Sequence, residues 1–298
     1  MPMTNLCNVN GVITPEADAH VSVLDRGFLF GDSIYEVIRT RNGIPFAWPE
    51  HLDRLHLSAA GIELDLSSEV YDALLTRRIV ETLQAAGNEE SYVRIIITRG
   101  TGDAPNIGMQ HATGSITCIV MVRDIPLATT QNAQVAIVQR LRTHRRALDP
   151  AIKSGNYLNN VLGLKEARAR GATDCLFLNN DGKLTEASTS NAWIIKGNKV
   201  LTPALSAGLL AGVTRKLLFA MCEEQGIECL ECDLYEDDVR SADGLFLTST
   251  LRDISPVDML DGQSAAPCSL LAGLVDKFHH YCDRLAEEVY KPGIEKML

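Results

Sequence analysis

The chain has 298 residues, and 46% of them are hydrophobic, which is enough for one large domain or two modest ones with a proper core. The formal net charge of −10 makes nucleic acid and anionic membranes poor partners. Residues 1–19 lack the pattern of a signal peptide, and the apolar stretch 116–122 is too short to cross a bilayer. We therefore expect a cytoplasmic protein without a nucleic-acid or membrane partner.

In chain order, the first part of the sequence alternates strand and helix patterns. Asn10-Gly11 predicts a tight turn between two short strands. Apolar spacing and glycine stops predict further elements: strands at 34–40, 92–98 and 115–122, and helices at 49–60 and 69–86. These elements predict a small N-terminal α/β domain over residues 1–122.

The polar residues 123–133 predict an interdomain linker, and residues 134–298 a larger C-terminal domain. The patterns there predict strands at 134–139, 175–178, 192–195 and 245–248, and helices at 157–170, 212–225 and 269–290. The expected fold class is therefore α/β (α+β), with two domains.

Two segments carry residue types suited to covalent and acid–base chemistry, although each has an ordinary alternative. Lys153 precedes a predicted helix among small, polar neighbours; such a lysine is usually solvated, but a deprotonated one attacks carbonyls. Glu186 is the one carboxylate of the Ser/Thr-rich run 184–191. That run suits a surface turn, or a carboxylate that keeps a pyridine nitrogen protonated.

Two more segments suit an anion. Residues 209–215 pass through Gly212 into a predicted helix, whose unpaired first amides favour a phosphate, as any helix N-terminus does. Arg54 lies off the apolar face of the predicted helix 49–60, where it pairs with Glu50 or clamps a phosphate. Taken singly, each segment favours the ordinary interpretation.

Taken together, the segments resemble the fold-type IV (class IV) pyridoxal-phosphate enzymes. An arginine, K-x-x-N-Y-L-N-N, E-A-S-T-S-N, G-V-T-R and T-S-T follow one another, with Gly27–Asp32 near the start. The family includes branched-chain aminotransferases, D-amino acid transaminases, R-selective amine transaminases and aminodeoxychorismate lyases. The resemblance covers residues 8–261 and implies the two-domain fold-type IV aminotransferase fold, transamination, and a homodimer with active sites at its interface.

The resemblance implies a role for each matching residue. Lys153 would hold pyridoxal 5′-phosphate (PLP) as a Schiff base and then move protons, Glu186 would pair with the ring nitrogen, and Tyr157 would bond the phenolic oxygen. Leu210 would pack on the ring. The residues expected at the phosphate are Arg54, Val213, Thr214 and Thr250. The alternative from another class is a silent member that binds the cofactor without catalysis.

The substrate class is divided between two subfamilies. Tyr35-Glu36-Val37 and residues 247–257 resemble D-amino acid transaminases. Those enzymes carry R-x-H after T-R-G-T, as an α-carboxylate trap, but residues 102–106 contain neither arginine nor histidine. Tyr92-Val93-Arg94 resembles the Y-x-R of branched-chain enzymes instead.

We therefore expect a non-standard D-amino acid transaminase, which passes the amino group from an amino acid to a 2-oxo acid. The α-carboxylate of the substrate would bind Tyr35, Arg94 and Arg26. An L-branched-chain aminotransferase is the alternative. Asp103 would repel a carboxylate, which also keeps an R-selective amine transaminase or a lyase open.

Overall fold

The computed structural model describes residues 5–66, 69–125 and 132–297, with backbone only at 69–70 and 295–297. The chain divides into two compact units. The first unit comprises residues 1–128, 152–156 and 283–298, and the second comprises residues 129–151 and 157–282.

The strands and helices follow in chain order. The strands are β1 (Leu6–Val9), β2 (Val12–Pro15), β3 (Ser33–Arg41), β4 (Ile44–Pro45), β5 (Ser91–Thr98), β6 (Thr117–Asp124), β7 (Ala133–Ile137), β8 (Asp174–Leu178), β9 (Leu184–Ala187), β10 (Asn191–Lys196), β11 (Lys199–Pro203), β12 (Cys229–Cys232), β13 (Gly244–Ser249), β14 (Asp253–Leu260) and β15 (Gln263–Ser264). The helices are α1 (Arg26–Phe30), α2 (Trp48–Gly61), α3 (Glu69–Ala86), α4 (Leu158–Ala169), α5 (Val213–Glu224), α6 (Glu236–Arg240), α7 (Ser269–Leu285) and α8 (Lys291–Met297).

The first unit is built on one antiparallel sheet in the order β2-β1-β6-β5-β3-β4. Asn10 and Gly11 both have positive φ angles, 53° and 96°, as the two-residue turn between β1 and β2 requires. The predicted apolar face of α2, formed by Leu52, Leu55 and Ala59, is buried in a core with the sheet. That core orders β3 and β5, which carry several of the candidate site residues.

The second unit is built on a mixed sheet in the order β12-β11-β10-β13-β14-β7-β8-β9, with β15 beside β14. One further pairing, between Glu186 of β9 and Asn191 of β10, joins the last strand back to β10. The pairings therefore form a closed ring of six strands, and Glu186 lies where that ring closes. Ala133, Val135, Leu184 and Leu247 belong to the apolar core of this unit.

Most predicted elements are confirmed, and the differences have local causes. The run 184–191 contains a strand, β9, whose four residues are all buried, so the interpretation as a surface turn is wrong. The long helix predicted at 269–290 ends at Leu285 and continues as a π-helical turn over Ala286–Tyr290. Among the described residues, no helix has the length and apolarity needed to span a membrane.

The two units differ from the predicted domains in two segments. Residues 152–156 belong to the first unit, because Ser154 bridges to Ile34 of β3. Residues 283–298 belong there as well, where Tyr290 packs edge-on against Phe46. Of the predicted linker 123–133, residues 126–131 lie outside the described residues.

Candidate active site

The peptide around Lys153 is fixed against the start of β3. The amide of Tyr35 donates to the carbonyl of Lys153 at 2.9 Å, and the amide of Gly155 donates to the carbonyl of Ser33 at 2.8 Å. The amide of Lys153 donates to Oγ of Ser58, on α2, at 3.1 Å. Hydrogen bonds on both sides of the lysine therefore set its backbone position.

Tyr35 brings two cationic side chains together. Its ring is buried, and the centroid lies 4.4 Å from Nζ of Lys153 and 4.1 Å from Cζ of Arg94. Tyr35 and Arg94 share one face of the sheet, because the β3–β5 ladder pairs residue 35 with 96 and residue 37 with 94. The negative face of an aromatic ring attracts cations at these distances. Three predicted site residues are thus brought together.

Arg94 pairs with no anion among the residues that the structure describes. Its side chain is half-buried on Tyr35, and within the described ranges no acceptor lies at hydrogen-bonding distance from its guanidinium. The guanidinium has five N–H donors. It is therefore a cation with open donors beside Lys153.

Arg26 is committed elsewhere. It is 3% exposed, and its Nε lies 3.0 Å from Oδ2 of Asp32. Its Nη1 donates to the carbonyl of Asn106 and its Nη2 to that of Ile107, both at 3.0 Å. These contacts use all three nitrogens. Arg26, the first residue of α1, therefore holds the loop that contains Asn106 and Ile107. The expectation that it binds the substrate carboxylate finds no support in its contacts.

Arg54 is buried beside Glu36, and not paired with Glu50 as the sequence suggested. Nε donates to Oε1 of Glu36 and Nη2 to Oε2, each at 2.7 Å. Nδ1 of His51 lies 2.8 Å from Oε2 of Glu36. Glu50 instead accepts from the Tyr290 hydroxyl at 3.0 Å.

Burial and charge act against each other in this cluster. Burial alone would raise the pKa of Glu36, but the charge and hydrogen bonds of Arg54, helped by His51, hold that pKa below its ordinary value. Burial lowers the pKa of His51, and Glu36 opposes this only in part. A neutral His51 that carries its proton on Nδ1 therefore donates to an ionised Glu36.

In the second unit, Glu186 is buried and both of its carboxylate oxygens have partners. Oε2 accepts from the amide of Leu210 at 3.1 Å. Oε1 lies 2.8 Å from Nε and 2.7 Å from Nη2 of Arg142. The carboxylate is therefore held in one orientation, beside the turn that leads into α5.

The turn before α5 is fixed by Asn191. Nδ2 of Asn191 donates to the carbonyl of Leu210 at 2.8 Å. A Cβ built on Gly212 would lie 2.0 Å from Oδ1 of Asn191, so only glycine fits that close approach. Gly212 caps α5 without a side-chain hydrogen bond, so no side chain of the described residues caps the amides of Val213 and Thr214. This end of α5 suits an anion.

Two further predicted site residues, Tyr157 and Thr250, also lie in the second unit. Tyr157 is the N-cap residue of α4 and is half-buried. Thr250 is also half-buried, in the turn between β13 and β14. Their roles stay predictions.

Several residues that support these sites have no role assigned to them from the sequence. They are Glu36, His51, Arg142, Asn159 and Asn160. The alternation of β3 could have placed Glu36 on the core face beside Arg54. The partners of Arg142 are 17 to 44 residues away along the chain, and no local pattern reports contacts of that separation.

Known proteins are similar to this chain in sequence and in fold. Residues 33–260 match the family described as amino-transferase class IV. A protein of Methanocaldococcus jannaschii, named provisionally as a branched-chain-amino-acid aminotransferase, is 34% identical over 86% of this chain and 88% of its own length. The D-alanine aminotransferase of Bacillus licheniformis is 32% identical over 86% of this chain and 88% of its own length.

Solved structures agree. The branched-chain aminotransferase of Thermoproteus uzoniensis, crystallised with norvaline, superposes with a TM-score of 0.85 at 25% identity, covering 97% of this chain and 98% of its own. The chain belongs to the class IV aminotransferases, which are PLP-dependent transaminases. The predicted family, fold class and enzyme type are confirmed. The relatives include both D-alanine and branched-chain enzymes, so they do not decide the substrate.

Proposed function

We propose that PLP binds this chain with its ring nitrogen at Glu186 and its phosphate at the amides of Val213 and Thr214. The observation that carries the proposal is the pair of hydrogen bonds at Leu210: its amide donates to Glu186 at 3.1 Å, and its carbonyl accepts from Asn191 at 2.8 Å. The Glu186 carboxylate, on β9, is thereby hydrogen-bonded to the turn that leads into α5. A ring nitrogen and a phosphate are the two polar ends of this cofactor, so the residues present fit it.

Other residues complete the proposed binding set. Arg54 would add a cation to the phosphate, and Thr250 a hydroxyl. Tyr157 would bond the phenolic oxygen, and Leu210 would pack on the ring.

Lys153 is the proposed covalent attachment point and proton carrier. When bound, PLP would supply an electron sink for the electron pair that the substrate carbon keeps when it loses its proton. Lys153 would then take a proton from the substrate carbon and return it, as a general base and acid. Its fixed backbone, with hydrogen bonds at Ser58 and Tyr35, would limit the positions that Nζ can reach.

Borohydride reduction followed by peptide mapping tests this attachment. A phosphopyridoxyl group is expected on Lys153, and none on a Lys153→Arg variant. The same group on another lysine would overturn the assignment.

The proposed reaction is D-amino acid transamination. Arg94 is the cation that supports it: its donors are open, it lies on Tyr35, and Tyr35 also contacts Lys153. A buried α-carboxylate needs such a cation. The relatives named D-alanine aminotransferase, and the Tyr35-Glu36-Val37 pattern, favour a D-amino acid donor.

An L-branched-chain aminotransferase is the second candidate. Tyr92-Val93-Arg94 favours it, as does the likeness to the Thermoproteus uzoniensis enzyme. The test is the amino half-reaction with D-alanine, D-glutamate, L-leucine, L-glutamate and R-phenylethylamine in parallel. Bleaching of the cofactor absorbance by the D-amino acids alone supports the first proposal, and bleaching by L-leucine and L-glutamate alone supports the second.

We also propose a homodimer, with a cytoplasmic location. Phe28, Ile107 and Met109 are largely exposed apolar side chains on the two segments that Arg26 joins. We propose that these side chains form one apolar patch, because a contiguous exposed patch favours a protein contact. Light scattering would give twice the monomer mass for the wild type, and Ile107→Asp is expected to lower it.

A further inference from the structure

Arg142 is a buried cation next to Glu186 that the proposed mechanism leaves without a role. Its side chain is 9% exposed. One edge of the guanidinium faces Oε1 of Glu186, with Nε and Nη2 at 2.8 and 2.7 Å. A buried carboxylate paired in this way keeps its charge balanced where water cannot do so.

The other edge of Arg142 is bonded to the start of α4. Nη1 donates to Oδ1 of Asn160 at 3.0 Å and to Oδ1 of Asn159 at 3.2 Å. Nδ2 of Asn160 donates in turn to the carbonyl of Ser188 at 2.7 Å, directly after β9. Arg142 is therefore held on both edges and has little freedom to turn away from Glu186.

The asparagines of the Y-L-N-N motif gain an explanation from these contacts. Asn159 also accepts from the amide of Thr143 at 3.3 Å and donates to the carbonyl of Leu141 at 3.0 Å, so it fixes the backbone on both sides of Arg142. Tyr157 lies directly before α4. One hydrogen-bonded frame thus carries Tyr157 and Glu186, the residues proposed for the phenolic oxygen and the ring nitrogen.

We infer that Arg142 is a positioning residue, which orients the Glu186 carboxylate and balances its charge so that Glu186 can receive a protonated pyridine nitrogen. The inference rests on the proposed placement of the ring nitrogen at Glu186. Arg142 acts through Glu186 and needs no contact with substrate or cofactor. With Oε1 occupied by Arg142 and one site on Oε2 by Leu210, Oε2 keeps a lone pair for the ring.

The test compares PLP with its 1-deaza analogue, in which carbon replaces the ring nitrogen. Dissociation constants are measured by titration of the apoprotein for the wild type, Arg142→Met, Arg142→Lys and Arg170→Met. Arg170 donates to the carbonyl of Ile137 in the same unit and is the matched control, since no contact joins it to Glu186.

The wild type is expected to prefer PLP over the analogue. Arg142→Met should weaken PLP binding by about tenfold or more, as expected for a hydrogen bond to a charged group, and leave the analogue almost unchanged. Arg142→Lys keeps the charge but loses the planar guanidinium. Its dissociation constant for PLP should therefore lie between those of the wild type and Arg142→Met. Arg170→Met should behave as the wild type with both ligands.

Equal weakening of both ligands in Arg142→Met would overturn the inference, because a role in folding alone does not distinguish nitrogen from carbon. Should Arg142→Met fail to fold, Arg142→Lys decides by the same ratio. Glu186→Gln separates the two proposals. If it leaves the preference for PLP intact, the placement of the ring nitrogen is wrong; if it removes the preference while Arg142→Met and Arg142→Lys do not, only the inference on Arg142 fails.

Discussion

The guanidinium of Arg54 lies edge-on against the carboxylate of Glu36, with two hydrogen bonds of 2.7 Å. The pair is buried, and Nδ1 of His51 lies 2.8 Å from Oε2 of the same carboxylate. A two-bond contact of this kind fixes the plane of the arginine as well as its position. Arg54 therefore has a structural role within the first unit in addition to the proposed role at the phosphate.

Substitution of Arg54 is expected to have two separable effects. Arg54→Ala leaves the buried Glu36 without its main partner, and the free energy of unfolding should fall by about 3–5 kcal/mol. Arg54→Lys keeps the charge, so its free energy of unfolding should fall by less than that of Arg54→Ala. PLP affinity should fall about tenfold or more in both variants. Urea denaturation of the apoprotein measures the first effect, and PLP titration measures the second. If Arg54→Lys binds PLP as tightly as the wild type, Arg54 does not bind the phosphate.

His51 should make stability depend on pH. Because burial lowers its pKa in the folded state, the unfolded chain binds a proton below the ordinary value of 6.5 while the folded chain does not. The free energy of unfolding should therefore fall as pH drops from 6.5, by up to about 1.4 kcal/mol per unit, until the folded His51 is protonated. His51→Asn, which keeps a donor for Glu36, should have the shallower curve in urea denaturation. Parallel curves between pH 6.5 and about 5 would contradict this assignment.

Glu36 extends the dependence to lower pH. Its pKa lies below the ordinary value of 4.5, so the folded state stays ionised where the unfolded chain takes up a proton. The stability that Glu36 contributes is thus present above pH 4.5 and is lost as pH falls toward its folded pKa. Glu36→Gln should remove this part of the acid sensitivity, although the variant is less stable at pH 7.

Gly212→Ala should weaken phosphate binding. The added Cβ would lie 2.0 Å from Oδ1 of Asn191, so the turn or Asn191 must move and the bond to the Leu210 carbonyl is strained. PLP affinity should fall about tenfold or more, whereas the affinity for pyridoxal, which has no phosphate, should change less. Titration with both ligands measures this, and an equal loss for both would show that the turn does not serve the phosphate.

A matched control exists on α7. Gly273 has no neighbour within 4 Å of an added Cβ, so alanine fits there without movement. Gly273→Ala should raise the free energy of unfolding by about 0.5–1 kcal/mol, because alanine favours the helix. PLP affinity should not change.

Much of the fold could be predicted, because strong local signals coincide with the elements. The structure places α3 at Glu69–Ala86, as predicted from apolar spacing and the glycine that follows. The missed strand β9 is buried on both faces, yet it contains Thr185 and Glu186. Its polar residues are satisfied by distant partners, such as the Phe177 carbonyl for Thr185 and Arg142 for Glu186, so the sequence around it resembles a turn.

Candidate site residues can be proposed from the sequence where they belong to a local motif, but their contacts with residues far along the chain cannot. Lys153 and Glu186 belong to local motifs, and both lie in hydrogen-bonded frames. Arg26 looked like a spare cation, but its partners Asn106 and Ile107 are 80 and 81 residues away. The sequence around Arg26 does not distinguish an arginine that binds the substrate carboxylate from one that holds a loop.

Arg94 and Arg26 are expected to differ in their effect on the substrate carboxylate. Arg94→Leu removes the open cation on Tyr35, so activity should fall at least about tenfold with an amino acid donor but little with R-phenylethylamine, which has no carboxylate. Arg26→Leu frees the loop at Asn106 and should reduce both activities alike. Arg94→Lys, which keeps a charge without the planar fork, should recover part of the amino acid activity. The measurement is kcat/KM for both donors in all three variants. Equal losses on both donors in Arg94→Leu would leave the carboxylate without Arg94 and favour an amine transaminase.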